Sequence, residues 1–218
     1  MMLAAMTRKT LILPLTAALL LAACGQKVPK FPSDPLDQAA TCGVIAAAGE
    51  REAAGAKGEL PADAQARILH YAMLHASTGK MLDPDKVNAV SKRMPALFDQ
   101  TIQGNWKTLQ PTCASAFPAT QVKQPVLPAK PLDAMLQCDA LAEFLRKALA
   151  DQGATYGAAA NAYGAFIDKL DPKMSVALRA AGLRNGDALR TKKLEELAAA
   201  AKLGPPPAVI DACEKKYG

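Results

Sequence analysis

The 218-residue chain has few aromatic side chains and few histidines: 5% of its residues are aromatic, and one tryptophan and two histidines occur. It lacks the Gly-x-x-x-x-Gly-Lys, Gly-x-Ser-x-Gly and His-Glu-x-x-His motifs of phosphate-binding loops, serine hydrolases and zinc peptidases. It also lacks Cys-x-x-Cys-His, which excludes covalent haem attachment. Beyond the first few dozen residues no apolar run reaches the roughly 18 residues of a spanning helix, which argues against a polytopic membrane protein.

The composition is that of a folded chain. Hydrophobic residues make up 50% of the sequence and charged residues 21%, and this apolar content argues against a wholly disordered protein. The length suits one domain of ordinary size or two small ones.

The N-terminal segment has the arrangement of an export signal. Arg8 and Lys9 form a short basic region, residues 11–21 are an apolar stretch, and no acidic residue occurs before Asp34. The apolar stretch has the length typical of a signal peptide and is too short to span a bilayer.

The apolar stretch ends in Leu21-Ala22-Ala23-Cys24, where small residues precede a cysteine. This segment resembles the lipobox of bacterial lipoprotein precursors, and the resemblance covers the signal alone. It implies that a diacylglycerol is attached to the Cys24 sulfur, that the chain is cleaved after Ala23, and that the new amino terminus is acylated. Such an anchor is stable, because each buried methylene contributes about 0.8 kcal/mol and more than one acyl chain is present.

The residues after Cys24 bear on which membrane holds the anchor. In lipoproteins of Gram-negative bacteria an acidic residue at this point marks retention in the inner membrane, whereas here Gly25 and Gln26 follow. For a source of that kind, the resemblance implies attachment to the inner leaflet of the outer membrane, facing the periplasm.

The charge is modest and evenly distributed. Removal of residues 1–23 takes away two basic and no acidic residues, which lowers the formal net charge from +6 to +4. The basic and acidic residues are well mixed in both halves of the remaining chain. This pattern predicts a solvated surface and no nucleic-acid partner, since nucleic-acid binding needs basic residues clustered on one face.

Five cysteines are present, and the predicted lipid accounts for Cys24. An even set of four is left for an oxidising compartment, namely Cys42, Cys113, Cys138 and Cys213. Four cysteines allow three pairings, so their number alone selects none.

Four anchors recur in the same order in the two halves of the chain. They are Pro35-Leu36-Asp37 with Pro131-Leu132-Asp133, Cys42 with Cys138, Leu82-Asp83-Pro84 with Leu170-Asp171-Pro172, and Cys113 with Cys213. The repeat predicts two similar units joined end to end. It therefore predicts the disulfides Cys42–Cys113 and Cys138–Cys213, each joining the first and last helix of its own unit.

The predicted fold is all-α, with two tandem small bundles of about four helices, each closed by one disulfide. Apolar residues recur every three or four positions, and no strand alternation is present. The predicted segments are a signal peptide (1–23), a proline-rich tether (24–34), helical unit 1 (35–118), a proline-rich linker (119–130) and helical unit 2 (131–218).

Three prolines carry predictions about individual helices. Asp83-Pro84 and Asp171-Pro172 are both predicted to start helices, because Asp caps free amides and Pro suits the first helical position. Pro95 falls within an apolar stripe and is predicted to kink or break its helix.

Trp106 is the one candidate binding residue, because tryptophan is enriched in interaction hot spots. The alternative is that it packs against its own bundle beside a disulfide. No catalytic residue, metal ligand or cofactor is assigned. His70 and His75 are five residues apart and point about 140° apart on a helix, so they do not share a metal from one face. A further alternative is carriage of haem or a metal by His70 with methionines such as Met73.

These observations favour a non-enzymatic, lipid-anchored protein of the bacterial envelope that acts as a binding or interaction module, its partner an envelope protein or the cell wall. One alternative is an immunity or inhibitor-type periplasmic protein. The other is an envelope hydrolase acting on cell-wall glycan, which needs two carboxylates facing each other across a cleft.

Overall fold

The computed structural model describes residues 30–55, 58–183 and 186–218, and within these ranges the chain is helical and contains no strand. The first half forms α1 (Pro35–Ala54), α2 (Ala62–Ala76), α3 (Pro84–Ile102) and α4 (Gln110–Ala116). The second half forms α5 (Pro131–Ala150), α6 (Gly157–Ala180), α7 (Asp187–Leu203) and α8 (Pro206–Tyr217). The predicted all-α class, with four helices in each half, is confirmed. Cys24, the signal peptide and most of the tether lie outside the described residues.

Both predicted disulfides are present. Cys42 in α1 is bonded to Cys113 in α4, with their Cα atoms 5.5 Å apart. Cys138 in α5 is bonded to Cys213 in α8, with a Cα–Cα distance of 5.7 Å. Each disulfide therefore joins the first and last α-helix of its own half.

One of the two predicted helix starts is correct. Asp83 caps α3, and its Oδ1 accepts hydrogen bonds from the backbone amides of Asp85 at 3.0 Å and Lys86 at 3.4 Å. The prediction at Asp171-Pro172 is wrong, because both residues lie inside α6. The buried side chains of Leu170 and Met174 continue one face of α6 across this point, and their packing outweighs the backbone hydrogen bond lost at Pro172.

Of the kink or break predicted at Pro95, the break does not occur, since α3 continues to Ile102. Val90 and Thr101 are buried on either side of Pro95, so tertiary packing holds the two parts of α3 in one helix. Here too the loss of one backbone hydrogen bond is outweighed by burial.

The two halves share a core. One cluster of buried side chains runs from Ala39 in α1 to Cys213 in α8, and α2 packs against α5, α7 and α8 of the other half. The Tyr156 hydroxyl donates a hydrogen bond to the Leu60 carbonyl oxygen at 2.9 Å and accepts one from Gln65 Nε2 at 3.0 Å. The repeat in the sequence is thus a repeat of helices and disulfides, and the second half packs directly on the first.

None of the described helices has both the length and the apolar composition needed to cross a membrane.

Candidate functional site

A groove with a volume of about 960 Å³ lies between the two halves of the molecule. Residues of α1, α2 and α3 line it from the first half, and residues of α5 and α7 line it from the second. Its walls carry five large apolar side chains that are only half-buried: Leu69, Met94, Phe98, Phe144 and Leu194. A cavity of this size with a mainly apolar lining has the character of a ligand site.

The floor of the groove is fixed by close packing of α1 on α3. Val44 and Ala47 of α1 and Ile68 of α2 are buried beneath it. Gly43 permits this approach, because a Cβ atom at that position would lie 2.9 Å from both Sδ and Cε of Met94. The Met94 side chain consequently lies between α1 and α3 and forms part of the groove wall.

All four charged residues that line the groove come from the C-terminal ends of three helices. Arg51 is in the last turn of α1, Asp99 is in the last turn of α3, and Lys147 and Asp151 are at the end of α5. All four are exposed, and none of them forms an ion pair with another residue in the described part of the chain. Two cations and two carboxylates therefore line the groove without mutual neutralisation.

Contacts around Leu60 and the first turns of α2 connect the three helices that carry these charges. Met94, in the middle of α3, packs against the buried cluster that contains Leu60. Tyr156, just after α5, donates its hydroxyl hydrogen bond to the Leu60 carbonyl oxygen. Glu50, next to Arg51 in α1, forms two hydrogen bonds with Arg67 of α2, at 2.5 and 2.8 Å. Arg51 is the last lining residue of α1, Asp99 is the last of α3, and Lys147 and Asp151 lie at the end of α5, so the charges come at the same end of each of these helices.

The opposite end of the groove is apolar. It is lined by Leu82, Val87, Leu194 and Leu197. The two halves are joined there by a hydrogen bond from the Leu82 amide to the Leu194 carbonyl oxygen, at 3.0 Å. On α3, the polar lining residue nearest to this apolar end is Asn88, which carries no charge. The groove is therefore amphipathic along its length, with charge at one end and hydrocarbon at the other.

Trp106, the predicted binding residue, does not line this groove. It is half-buried at the start of a short 3-10 helix (Trp106–Leu109) and packs against a cluster that includes Cys42 and Cys113. This is the position expected for a tryptophan packed beside a disulfide. A second, smaller cavity of about 550 Å³ lies next to the same disulfide and is lined by Glu50, Tyr71 and others.

Two titratable side chains that line that smaller cavity, Glu50 and Tyr71, have shifted pKa values. The hydrogen bonds from Arg67 lower the pKa of Glu50, despite an opposing effect of burial. Burial raises the pKa of the Tyr71 phenol. Both groups are therefore held in their ordinary charge states at neutral pH.

The two histidines have separate structural roles. His70 is 1% exposed, and its Nε2 donates a hydrogen bond to the Ala201 carbonyl oxygen at 2.7 Å. Burial lowers the pKa of His70 to about 4, so the imidazole is neutral at pH 7. His75 is half-buried, and burial followed by the charge of Lys86 lowers its pKa. No group of three or more His, Cys, Asp or Glu side chains in residues 30–55, 58–183 and 186–218 is arranged to hold a metal ion.

A buried ion pair lies between α5 and α7, and neither of its residues lines the groove. The carboxylate of Asp139 has a side-chain exposure of 2% and lies 2.8 Å from Lys193 Nζ. Burial raises the pKa of Asp139 more than the contact with Lys193 lowers it. Lys193 Nζ also lies 3.1 Å from the exposed carboxylate of Glu143. The pair ties α7 to α5 within the second half.

Sequence reasoning did not identify the groove. The apolar stripe of α3 contains Val87, Val90, Met94 and Leu97; three of them are buried, and Val87 and Met94 line the groove. The feature of the sequence that could have indicated the groove is the position of two phenylalanines, Phe98 and Phe144. Both lie one position off the apolar stripe of their helix, in a chain with five phenylalanines.

No protein-family model, no curated protein and no solved structure matches this chain.

Proposed function

We propose that this protein is a lipid-anchored binding protein of the bacterial envelope, facing the periplasm, and that the groove between its halves is the binding site. The lipobox-like segment ending at Cys24 supports the anchor and the compartment. The single observation that carries the binding function is the groove itself, an apolar cavity of about 960 Å³ with free charges at one end.

The energetics favour an occupant for this groove. Leu69, Phe98 and Phe144 keep part of their apolar surface in contact with water, and Phe144 does so although it packs against the main buried cluster. Covering apolar surface contributes roughly 25 cal/mol per Å². Few well-placed polar groups in an apolar cleft are also the usual composition of a binding site.

The alternative of cell-wall hydrolysis would require two carboxylates in different environments, one of them shielded so that it keeps its proton. Asp99 and Asp151 are the two carboxylates that line the groove, and both are exposed. No observation in the described residues favours hydrolysis over binding, so binding is the function proposed.

The test is site-specific photo-crosslinking of the full-length chain in living cells. A photoreactive amino acid replaces Met94 in the groove, and in a matched variant it replaces Val176, an apolar residue of α6 that is 60% exposed and does not line the groove. We expect a defined adduct, detected by mass spectrometry, from position 94 and none from position 176.

The same experiment can contradict the proposal. If position 94 and a second groove position, Phe144, give no adduct while the protein is correctly disulfide-bonded, the groove has no occupant in the cell. If positions 94 and 176 give the same adducts, the contacts are nonspecific and the groove is not the binding site.

A further inference from the structure

The amphipathic form of the groove specifies the chemistry of its occupant. We infer that the groove binds a zwitterionic single-chain lipid, a lysophospholipid with a phosphate and an ammonium group in its head. The acyl chain lies at the apolar end and the head at the charged end. This inference rests on the proposed function, because it names the ligand of the same groove.

The dimensions of the groove suit one acyl chain. Lining residues of α3 run from Pro84 to Asp99, which corresponds to roughly 22 Å of helix axis at about 1.5 Å per residue. A membrane acyl chain spans half of a hydrocarbon core of about 30 Å, which is roughly 15 Å. The groove therefore holds the length of one chain and leaves space for a head beyond it.

The charges at the other end favour a head group that carries both signs. Arg51 and Lys147 present donors suited to phosphate oxygens, and an arginine can bind a phosphate through two parallel hydrogen bonds. Asp99 and Asp151 present carboxylates suited to an ammonium group. A purely anionic head would satisfy the two cations and leave both carboxylates facing a like charge.

The proposed anchor places the groove within reach of such a ligand. A protein held at a membrane surface through Cys24 is close to the lipids of that membrane. The first helix, α1, begins at Pro35, 11 positions along the chain from the proposed lipid-bearing Cys24. A single-chain lipid can leave the bilayer more easily than a two-chain lipid, since fewer methylenes have to be transferred.

The test uses envelope membranes from cells that make the full-length chain. The membranes are incubated with a lysophosphatidylethanolamine that carries a photoreactive diazirine in its acyl chain. They are then irradiated, and the labelled peptides are identified by mass spectrometry. We expect labelling of groove peptides, centred on the apolar end with Val87, Leu194 and Leu197, and no comparable labelling of the outer face of α6.

One matched pair of variants separates binding in the groove from mere proximity to the membrane. Ala148→Trp places a bulky side chain in the groove, whereas Val176→Trp places the same side chain on the outside of α6. We expect at least about tenfold less labelling in the first variant and unchanged labelling in the second, a difference equivalent to 1.4 kcal/mol or more. Thermal unfolding of both variants confirms that each is folded.

The head group is tested by charge reversal and by competition. The double variant Arg51→Glu/Lys147→Glu is compared with Lys169→Glu/Arg179→Glu, which makes the same change of net charge on α6. We expect about tenfold weaker labelling in the first variant only. Unlabelled lysophosphatidylethanolamine should compete with the probe at lower concentration than a fatty acid of the same chain length.

Several results would overturn the inference. Equal labelling of Ala148→Trp and Val176→Trp would show that the chain does not lie in the groove. If the fatty acid competes equally well and charge reversal has no effect, the groove does not select a zwitterionic head group. A protein-sized adduct at position 94 in cells, with no lipid labelling, would leave the binding function intact and refute the lipid ligand. An absence of adducts in both experiments would refute both proposals.

Discussion

The imidazole of His70 in α2 donates a hydrogen bond from Nε2 to the carbonyl oxygen of Ala201 in α7, at 2.7 Å. The contact joins the two halves of the molecule at a point where His70 is 1% exposed. The bond requires that Nε2 carries the proton, and burial keeps the ring neutral. Protonation of the ring would leave this hydrogen bond in place but would put a charge in a buried site, which costs stability at this contact between the halves.

The stability of the protein is predicted to fall in mild acid because of His70. Its pKa is about 4 in the folded state and about 6.5 in the unfolded chain, so the unfolded chain takes up a proton first as the pH falls. The contribution of the neutral His70 to the free energy of unfolding is complete above pH 6.5. It is lost progressively as the pH falls to 4, a loss of about 3 kcal/mol in all. Denaturant unfolding from pH 7 to pH 4 measures it.

The control for this pH dependence is His70→Gln, which keeps a neutral donor at the position. The free energy of unfolding of this variant should decline less between pH 6.5 and pH 4 than that of the wild type, by about 3 kcal/mol. Parallel declines in the two proteins would show that His70 does not control the acid sensitivity.

Asp83 and Asp171 are predicted to respond differently to replacement by alanine, although they occupy corresponding places in the sequence repeat. Asp83→Ala removes two capping hydrogen bonds at the start of α3 and should cost about 1 kcal/mol of stability. Asp171→Ala alters an exposed position inside α6 and should stay within about 0.5 kcal/mol of the wild type. Equal losses, measured by denaturant unfolding, would contradict the helix boundaries described here.

This pair also shows how far the sequence allows prediction. A motif such as Asp-Pro reports only local preference, which is correct at Asp83, where no apolar stripe crosses the boundary. At Asp171 the stripe of Leu170 and Met174 continues past the motif, and packing of this face onto α5 decides the outcome. The disulfides were predictable because the repeat fixes their order along the chain.

The groove and the shared core were not predictable, since both depend on how the two halves pack together. The pattern of α2 identifies an apolar face but not that this face lies against α7 and α8 of the other half. Phe98 and Phe144 come from different halves and share one groove. The sequence pattern of each half taken alone does not specify that these two side chains line the same groove.

Removal of either disulfide is predicted to destabilise the whole molecule. The cysteines are separated by 71 and 75 residues, and closing loops of that length stabilises by up to about 4 kcal/mol each in the chain-entropy model. Cys42→Ala/Cys113→Ala and Cys138→Ala/Cys213→Ala should each lower the free energy of unfolding by about 2–4 kcal/mol. Because the halves share a core, each variant should melt in one transition. Two separate transitions would show that the halves unfold independently.

Loss of the lysine partner of Asp139 is predicted to be costly and pH-dependent. Lys193→Met leaves the buried carboxylate without its cation, and such changes cost about 3–5 kcal/mol. Burial already raises the pKa of Asp139, and without Lys193 that pKa rises further. The protonated acid tolerates burial, so the loss of stability should be larger at pH 7 than at pH 4.

The matched control is Lys202→Met in the same helix, because Lys202 is exposed and pairs with no acid among the described residues. It should change stability by less than about 0.5 kcal/mol at either pH. If Lys193→Met behaved like this control, the Asp139–Lys193 pair would contribute nothing to the packing of α7 on α5.

The mass of the intact, unreduced chain purified from bacterial envelopes tests the central claim most directly. We expect a chain that begins at Cys24, carries a diacylglycerol on the sulfur and an acyl group on the amino terminus, and keeps its other four cysteines in two disulfides. A chain that retains residues 1–23, carries no lipid and has five free thiols would contradict the placement of this protein in the envelope.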